Sequence, residues 1–299
     1  MSTFFLLLFS FLVQESFVVS ELGRFGGTGS NAGQFKNPSA IDVNDKGQIF
    51  VCDRGNNRIQ VFNSKGMFIR DLGGFGWQEE RFDQPADIWA RSTLNVFIAD
   101  FNNQRIQRFD KDLNYLNSKY SNDGAKEAFQ FREILSVVYS PQGDIFVLDG
   151  GEFKIIKFNP QDQAEVAFGY YESGEGELTQ PTQIDLTRNN QILACDTGLP
   201  GVLIYDYFGN FLKKITHTEL KFPVGIAVDD KNRIYLCDTQ KQAIFIFSAD
   251  GILLSKISNI GGIPLRKPAD ISVKKADGIY HLYILDGDHL LSAELRIEG

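Results

Sequence analysis

Residues 33–62 read GQFKNPSAIDVNDKGQIFVCDRGNNRIQVF. Turn signals divide this stretch: a short strand follows Pro38, an Asn-Asp-Lys-Gly turn ends at Gly47, and a second strand closes on Asp53. The loop RGNN runs to Asn57, and RIQVF forms a third strand to Phe62. NSKG then reverses the chain at Gly66, and MFIRDLG supplies a fourth strand to Gly73. The second strand is apolar at four successive positions, the pattern of a strand covered on both faces of its sheet.

The unit recurs along the whole chain. Four apolar residues end in aspartate at Asp53, Asp100, Asp149, Asp196, Asp238 and Asp286, with spacings of 47, 49, 47, 42 and 48 residues. Nine residues after each aspartate stand Phe62, Phe109, Phe158, Tyr205, Phe247 and Leu295. Prolines 38, 85, 181, 223 and 268 mark the entrance to the first strand of a unit, where a missing N–H falls outside the ladder; Ile134 takes that place in the third unit. Four-stranded meanders that need cover on both faces find it by stacking on one another as blades. The fold expected is therefore all-β, a six-bladed β-propeller of four-stranded antiparallel blades. The last unit stops after its third strand, near Ile297, while FVVSELGRFGG (Phe17–Gly27) matches the fourth-strand segment MFIRDLGGFG (Met67–Gly76). The N-terminal strand is thus expected to complete the last blade and remove an unpaired edge.

On this reading residues 17–299 form a single propeller domain, and residues 1–16 stand outside it. STFFLLLFSFLV (2–13) carries no charge and is too short to span a bilayer, although no Lys or Arg precedes it. With small Ser16 at a cleavage position, it reads as a secretory signal peptide. That implies an extracytoplasmic protein, secreted or periplasmic, with no membrane span in the mature chain.

The first two units, GQFKNPSAIDVNDKGQIFVCDRGNNRIQVF and RFDQPADIWARSTLNVFIADFNNQRIQRF, resemble the NHL-repeat family of β-propellers. In later units TGLPG, TQKQ and DGDH replace the Asn-Asn-Arg stretch. The resemblance implies the fold and leaves the activity open, because the family includes RNA-binding and ubiquitin-ligase-associated proteins, peptide-amidating lyases and envelope proteins.

Composition narrows the classes. Thirty basic residues against 38 acidic ones give a net charge of −8, which disfavours nucleic acid as a partner. Cys52, Cys195 and Cys237 share one repeat position, where other units have Ala99, Leu148 and Leu285. They read as apolar fillers, too far apart for a disulfide. No Gly-x-Ser-x-Gly elbow or Walker loop occurs, histidines 217, 281 and 289 are scattered in the repeat, and no cofactor is expected.

Three sets of residues invite a functional reading. The six strand-end aspartates could form a metal or acid–base ring, but repetition in every unit favours a structural turn, each carboxylate accepting an N–H two residues on. Five residues after the aspartate stand Arg58, Arg105 and Lys154 in units one to three, then Gly201, Ala243 and Leu291. Either one half of the loop face is basic and receives an acidic peptide or other anion, or each cation pairs with its own aspartate. Trp77, Phe101, Phe153, Tyr170 and Tyr171, with Arg54, fall in loops of the same face; they read as interface anchors or as plugs between blades.

The leading expectation is a non-catalytic scaffold that binds a protein, peptide or carbohydrate on the face made by the loops between strands two and three. The alternatives are a lyase or lactonase using a metal held on the axis by carboxylates and His289, and an RNA-binding propeller, which needs a basic face.

Overall fold

The computed structural model describes residues 15–92, 94–121 and 126–298. Six four-stranded antiparallel sheets make the ring. The first blade is Ala40–Val43, Ile49–Asp53, Arg58–Phe62 and Phe68–Gly73, the elements read from its sequence. Blades two to five follow the same order, with inner strands Pro85–Trp89, Ile134–Tyr139, Pro181–Leu186 and Pro223–Val228. The sixth is built from Pro268–Ala276, Ile279–Asp286 and His289–Glu298, and the N-terminal strand Ser16–Gly26 adds its outer edge. That strand pairs antiparallel from Ser16 opposite Glu298 to Gly26 opposite His289, with a bulge between Glu21 and Gly23.

The second strands lie in the packed layers between blades, which is why they are apolar on both faces. Ile49–Asp53, Ile192–Asp196 and Ile234–Asp238 are buried throughout. The junction of blades one and two shows the packing: Phe50, Cys52 and Ile59 of one blade meet Phe82, Ile88, Ile98 and Phe109 of the next. All three cysteines are buried free thiols in such layers. Burial of an apolar side chain there contributes roughly 1.5–3 kcal/mol, and the residues nine after each aspartate (Phe62, Phe109, Phe158, Tyr205, Phe247, Leu295) are all buried.

Antiparallel alternation sorts the loops. The connections between blades and the loops between second and third strands share one face, called here the loop face; the turns after first strands and after third strands share the other. Among the described residues no helix is long and apolar enough to cross a membrane. Residues 1–14, on which the signal-peptide reading rests, lie outside the described residues.

Candidate functional site

Two rings of aspartates organise the molecule. The first is the repeated strand-end set, at most 1% exposed in every blade. Each carboxylate reaches back to the connection that delivers the chain into its blade. Asp53 accepts the Lys36 N–H at 2.8 Å, Asp100 the Asp83 N–H at 2.8 Å, and Asp238 the N–H groups of Lys221 and Phe222 at 2.6 and 2.9 Å. Asp149, Asp196 and Asp286 do the same with Arg132 and Glu133, Thr179 and Gln180, and Arg266 and Lys267. The expected N–H two residues on is present at Asp149 (Gly151, 3.1 Å) and Asp196 (Gly198, 2.8 Å). The principal donors therefore come from about one blade-strand pair earlier in sequence, which a local turn motif does not show.

Arg58 and Arg105 complete these ties. Arg58 Nε donates to Asp53 at 2.8 Å, and its Nη2 donates to the carbonyls of Asn31 and Gln34. Arg105 repeats the pattern on Asp100 at 2.8 Å and on the carbonyls of Gln78 and Arg81, with a side chain 1% exposed. Both guanidiniums are thus turned inward to brace the connection. Lys154 departs from them: its Nζ donates to Glu152 at 2.6 Å, and Asp149 Oδ2 has no hydrogen-bond partner among the described residues. In blade six the strand that closes the ring brings Arg24 to 3.6 Å from Asp286.

The second ring is not evident from the sequence. Inner strands face the axis with a free edge, and side chains of one blade accept the edge N–H groups of the next. Asp270 accepts the Ile41 N–H at 2.8 Å, Asp42 the Ala90 N–H at 2.8 Å, and Asp87 the Val137 N–H at 2.9 Å. Ser136 accepts from Ile184 at 3.2 Å, Gln183 from Ile226 at 2.7 Å, and Asp185 from Val228 at 2.9 Å. Blades five and six are joined differently. Gly225 lies so close that a Cβ there would stand 2.5 Å from the Ala269 carbonyl. The signal, visible only in hindsight, is a polar residue two or four positions after the strand-entrance proline.

Arg91 spans the axis. Its Nε donates to Asp42 at 3.1 Å and its Nη1 to Asp185 at 2.6 Å. Burial opposes its charge, but the two carboxylates outweigh burial and raise its pKa. Burial pushes Asp87 up to about 6 and Asp270 well above the usual carboxylate range. Arg91, Trp89, Tyr139 and Asp185 also line a basin of about 910 Å³ at the axial mouth opposite the loop face. Among the described residues no three His, Cys, Asp or Glu side chains gather to hold a metal ion. His289 sits half-buried beside Asp286, its pKa lowered by burial and then by Arg24.

Four of the five aromatics read on the loop face, all but Phe101, are exposed to solvent. Trp77 is 74% exposed and Tyr171 75%, with Tyr170 and Phe153 also exposed. Phe75, outside the set read from the sequence, is 75% exposed beside Trp77. Phe101 is half-buried against the core of the next junction, and the Arg54 guanidinium lies 4.8 Å over its ring.

Comparison with known proteins agrees with this architecture. A family model described as the NHL repeat matches residues 35–62. The B-box type zinc finger protein ncl-1 of Caenorhabditis elegans is 49% identical over 45 residues, 15% of this chain and 5% of that protein. The human E3 ubiquitin-protein ligase TRIM32 is 43% identical over 51 residues, 17% of this chain and 8% of the ligase. The matched stretch is thus a small fraction of either relative's length. Among solved structures, a streptogramin B lyase superimposes with a TM-score of 0.63 at 12% identity, covering 94% of this chain and 98% of that one. A gluconolactonase, XC5397 of Xanthomonas campestris, gives 0.67 at 12% identity, covering 93% and 89%. At such identities the likeness carries the fold alone.

Proposed function

We propose that this NHL-repeat β-propeller acts by binding rather than by catalysis, holding a protein or peptide partner on its loop face. The observation that carries the reading is the exposure of large aromatics on one face, Phe75 and Trp77 on the connection into blade two and Tyr170 and Tyr171 on the connection into blade four. Solvent-exposed tryptophan and tyrosine gain free energy when a partner covers them, and such side chains dominate the energetics of interfaces. The cations beneath the face supply its rigidity: Arg58 and Arg105 tie the connections to the second strands, so the aromatics are presented on braced loops. Phe153 and the Arg54–Phe101 stack extend the surface across blades one to three. The axial carboxylates are occupied by backbone N–H groups, a fastening role.

Affinity capture with the purified chain, read by mass spectrometry, tests the proposal. Trp77→Ala and Tyr171→Ala are expected to lose the captured partner while the thermal midpoint stays within about a degree, because exposed side chains contribute little to stability. Undiminished capture by both variants would place the partner elsewhere.

A further inference from the structure

We infer that the aromatic sector of the loop face takes a basic partner segment, one whose lysine or arginine side chains lie against Trp77 and its neighbours. The inference rests on the binding reading above and adds the charge of the partner.

The charge of the face is not what the repeat pattern suggests. Arg58, Arg105 and Lys154 would make blades one to three basic, but all three are committed to carboxylates, and the side chains of Arg105 and Lys154 are almost wholly buried. Exposed charge on this face comes instead from the connections. Residues 74–84, which carry Phe75 and Trp77, also carry exposed Glu79 and Glu80. Residues 169–180, which carry Tyr170 and Tyr171, also carry exposed Glu172 and Glu175. None of these four glutamates has an ion pair within 4 Å among the described residues. The connections into blades five, six and one present exposed Lys221, Arg266, Lys267 and Lys36, the last of these bordering the aromatic sector beside Gly55. On the connections into blades two to four the exposed described residues include six acidic ones, Glu79, Glu80, Glu127, Glu133, Glu172 and Glu175, against the cations Arg81, Lys126 and Arg132, so the side where the aromatics stand is negative on balance.

Aromatic faces and carboxylates share a preference. A ring offers its negative π-face to a cation, best of all in tryptophan, and nearby carboxylates reinforce the attraction. The protein already makes one such contact within the same surface, Arg54 over Phe101. The connection that carries Trp77 also borders a notch of about 560 Å³ lined by Asp71, Glu79 and Glu80 together with Arg58 and Arg81. Arg58 is engaged with Asp53 and Asp71, while Arg81 donates to the neutral Gly73 carbonyl and keeps its charge, so two glutamates face one cation there. The notch thus keeps a net negative charge through Glu79 and Glu80 and is wide enough for a long side chain. Nucleic acid is disfavoured at the same place, since its phosphates would meet the glutamates.

Selection of a random peptide library displayed on phage against the immobilised full chain tests this. Enriched sequences are expected to exceed the input in Lys and Arg. Retention of a representative peptide should fall roughly tenfold with Trp77→Ala and with Glu80→Lys, the size of effect when a cation–π contact or a partly desolvated ion pair is lost. Phe208→Ala and Asp250→Lys, at exposed positions of the opposite face, should leave it unchanged. An effect of Asp250→Lys equal to that of Glu80→Lys would reduce the attraction to net charge and overturn the inference. Enrichment of acidic or charge-neutral sequences, no enrichment at all, or tighter retention of a single-stranded RNA oligonucleotide would also overturn it. Loss of binding with Trp77→Ala but not with Glu80→Lys or Glu175→Lys would sink the charge assignment and leave the binding face standing; indifference to every loop-face substitution would sink both.

Discussion

Arg105 and Lys154 occupy one repeat position and do different work. Arg105 is buried against Asp100 and two connection carbonyls, so Arg105→Met leaves a buried carboxylate without its cation and is expected to cost about 3–5 kcal/mol. Lys154 reaches a glutamate that is 47% exposed, and Lys154→Met, close in volume, should change stability by less than about 1 kcal/mol. Urea midpoints of the two variants check the contrast; equal losses would show that Lys154 also braces its loop. Asp87 gives a prediction of different form. Its folded pKa of about 6 lies above the ordinary 3.8, so between those values the native chain holds a proton that the unfolded chain releases. That contribution is full below pH 4 and is lost as pH rises through 6, on the order of 2–3 kcal/mol. Asp185 and Asp270 shift in the same direction as Asp87 because they too are buried. Asp87→Asn keeps the acceptor for Val137 without the charge. Its melting temperature should exceed that of the parent at pH 7.5 and match it near pH 4; an identical pH dependence of the two proteins would refute the assignment.

At the scale of elements, the N-terminal strand closes the ring twice over. It pairs along the edge of the sixth blade from Ser16 to Gly26, and it carries Arg24 to Asp286 in a blade whose own third strand has Leu291 where Arg58 and Arg105 stand. Glu15 adds an ion pair to Arg233 of blade five at 3.7 Å. Deletion of residues 1–24 is therefore expected to lower the unfolding midpoint markedly and to promote aggregation through the bared edge. Deletion of residues 1–14 should do neither. Equal midpoints for the two truncations, measured by thermal unfolding with light scattering, would mean that closure does not depend on this strand.

For the whole molecule, rigidity and recognition are divided between its layers. The apolar layers between blades and the polar ring on the axis fix the scaffold, and the connections on one face are left to present aromatic and charged groups. The apolar residues 2–13 lead us to propose that this scaffold works outside the cytoplasm, with its leader removed. Sequencing the amino terminus of natively expressed protein should give a start near Phe17; recovery of Met1 or Ser2 would end that proposal.

The sequence by itself determined the blade count, the strand order and the closing strand, because each depends on a local pattern repeated at a fixed interval. Apolar second strands, turn residues and the aromatic nine positions after each aspartate are constraints that every blade must meet alone. Only the tertiary structure decided what the polar residues do. Asp42, Asp87, Asp185 and Asp270 find partners in neighbouring blades, and Arg91 finds Asp185 across the axis, pairings between positions distant in the chain. The same holds for the loop face. Whether an arginine five residues after an aspartate faces solvent or braces a connection depends on carbonyls brought to it by folding, so the sign of the exposed charge could not be read from the repeat.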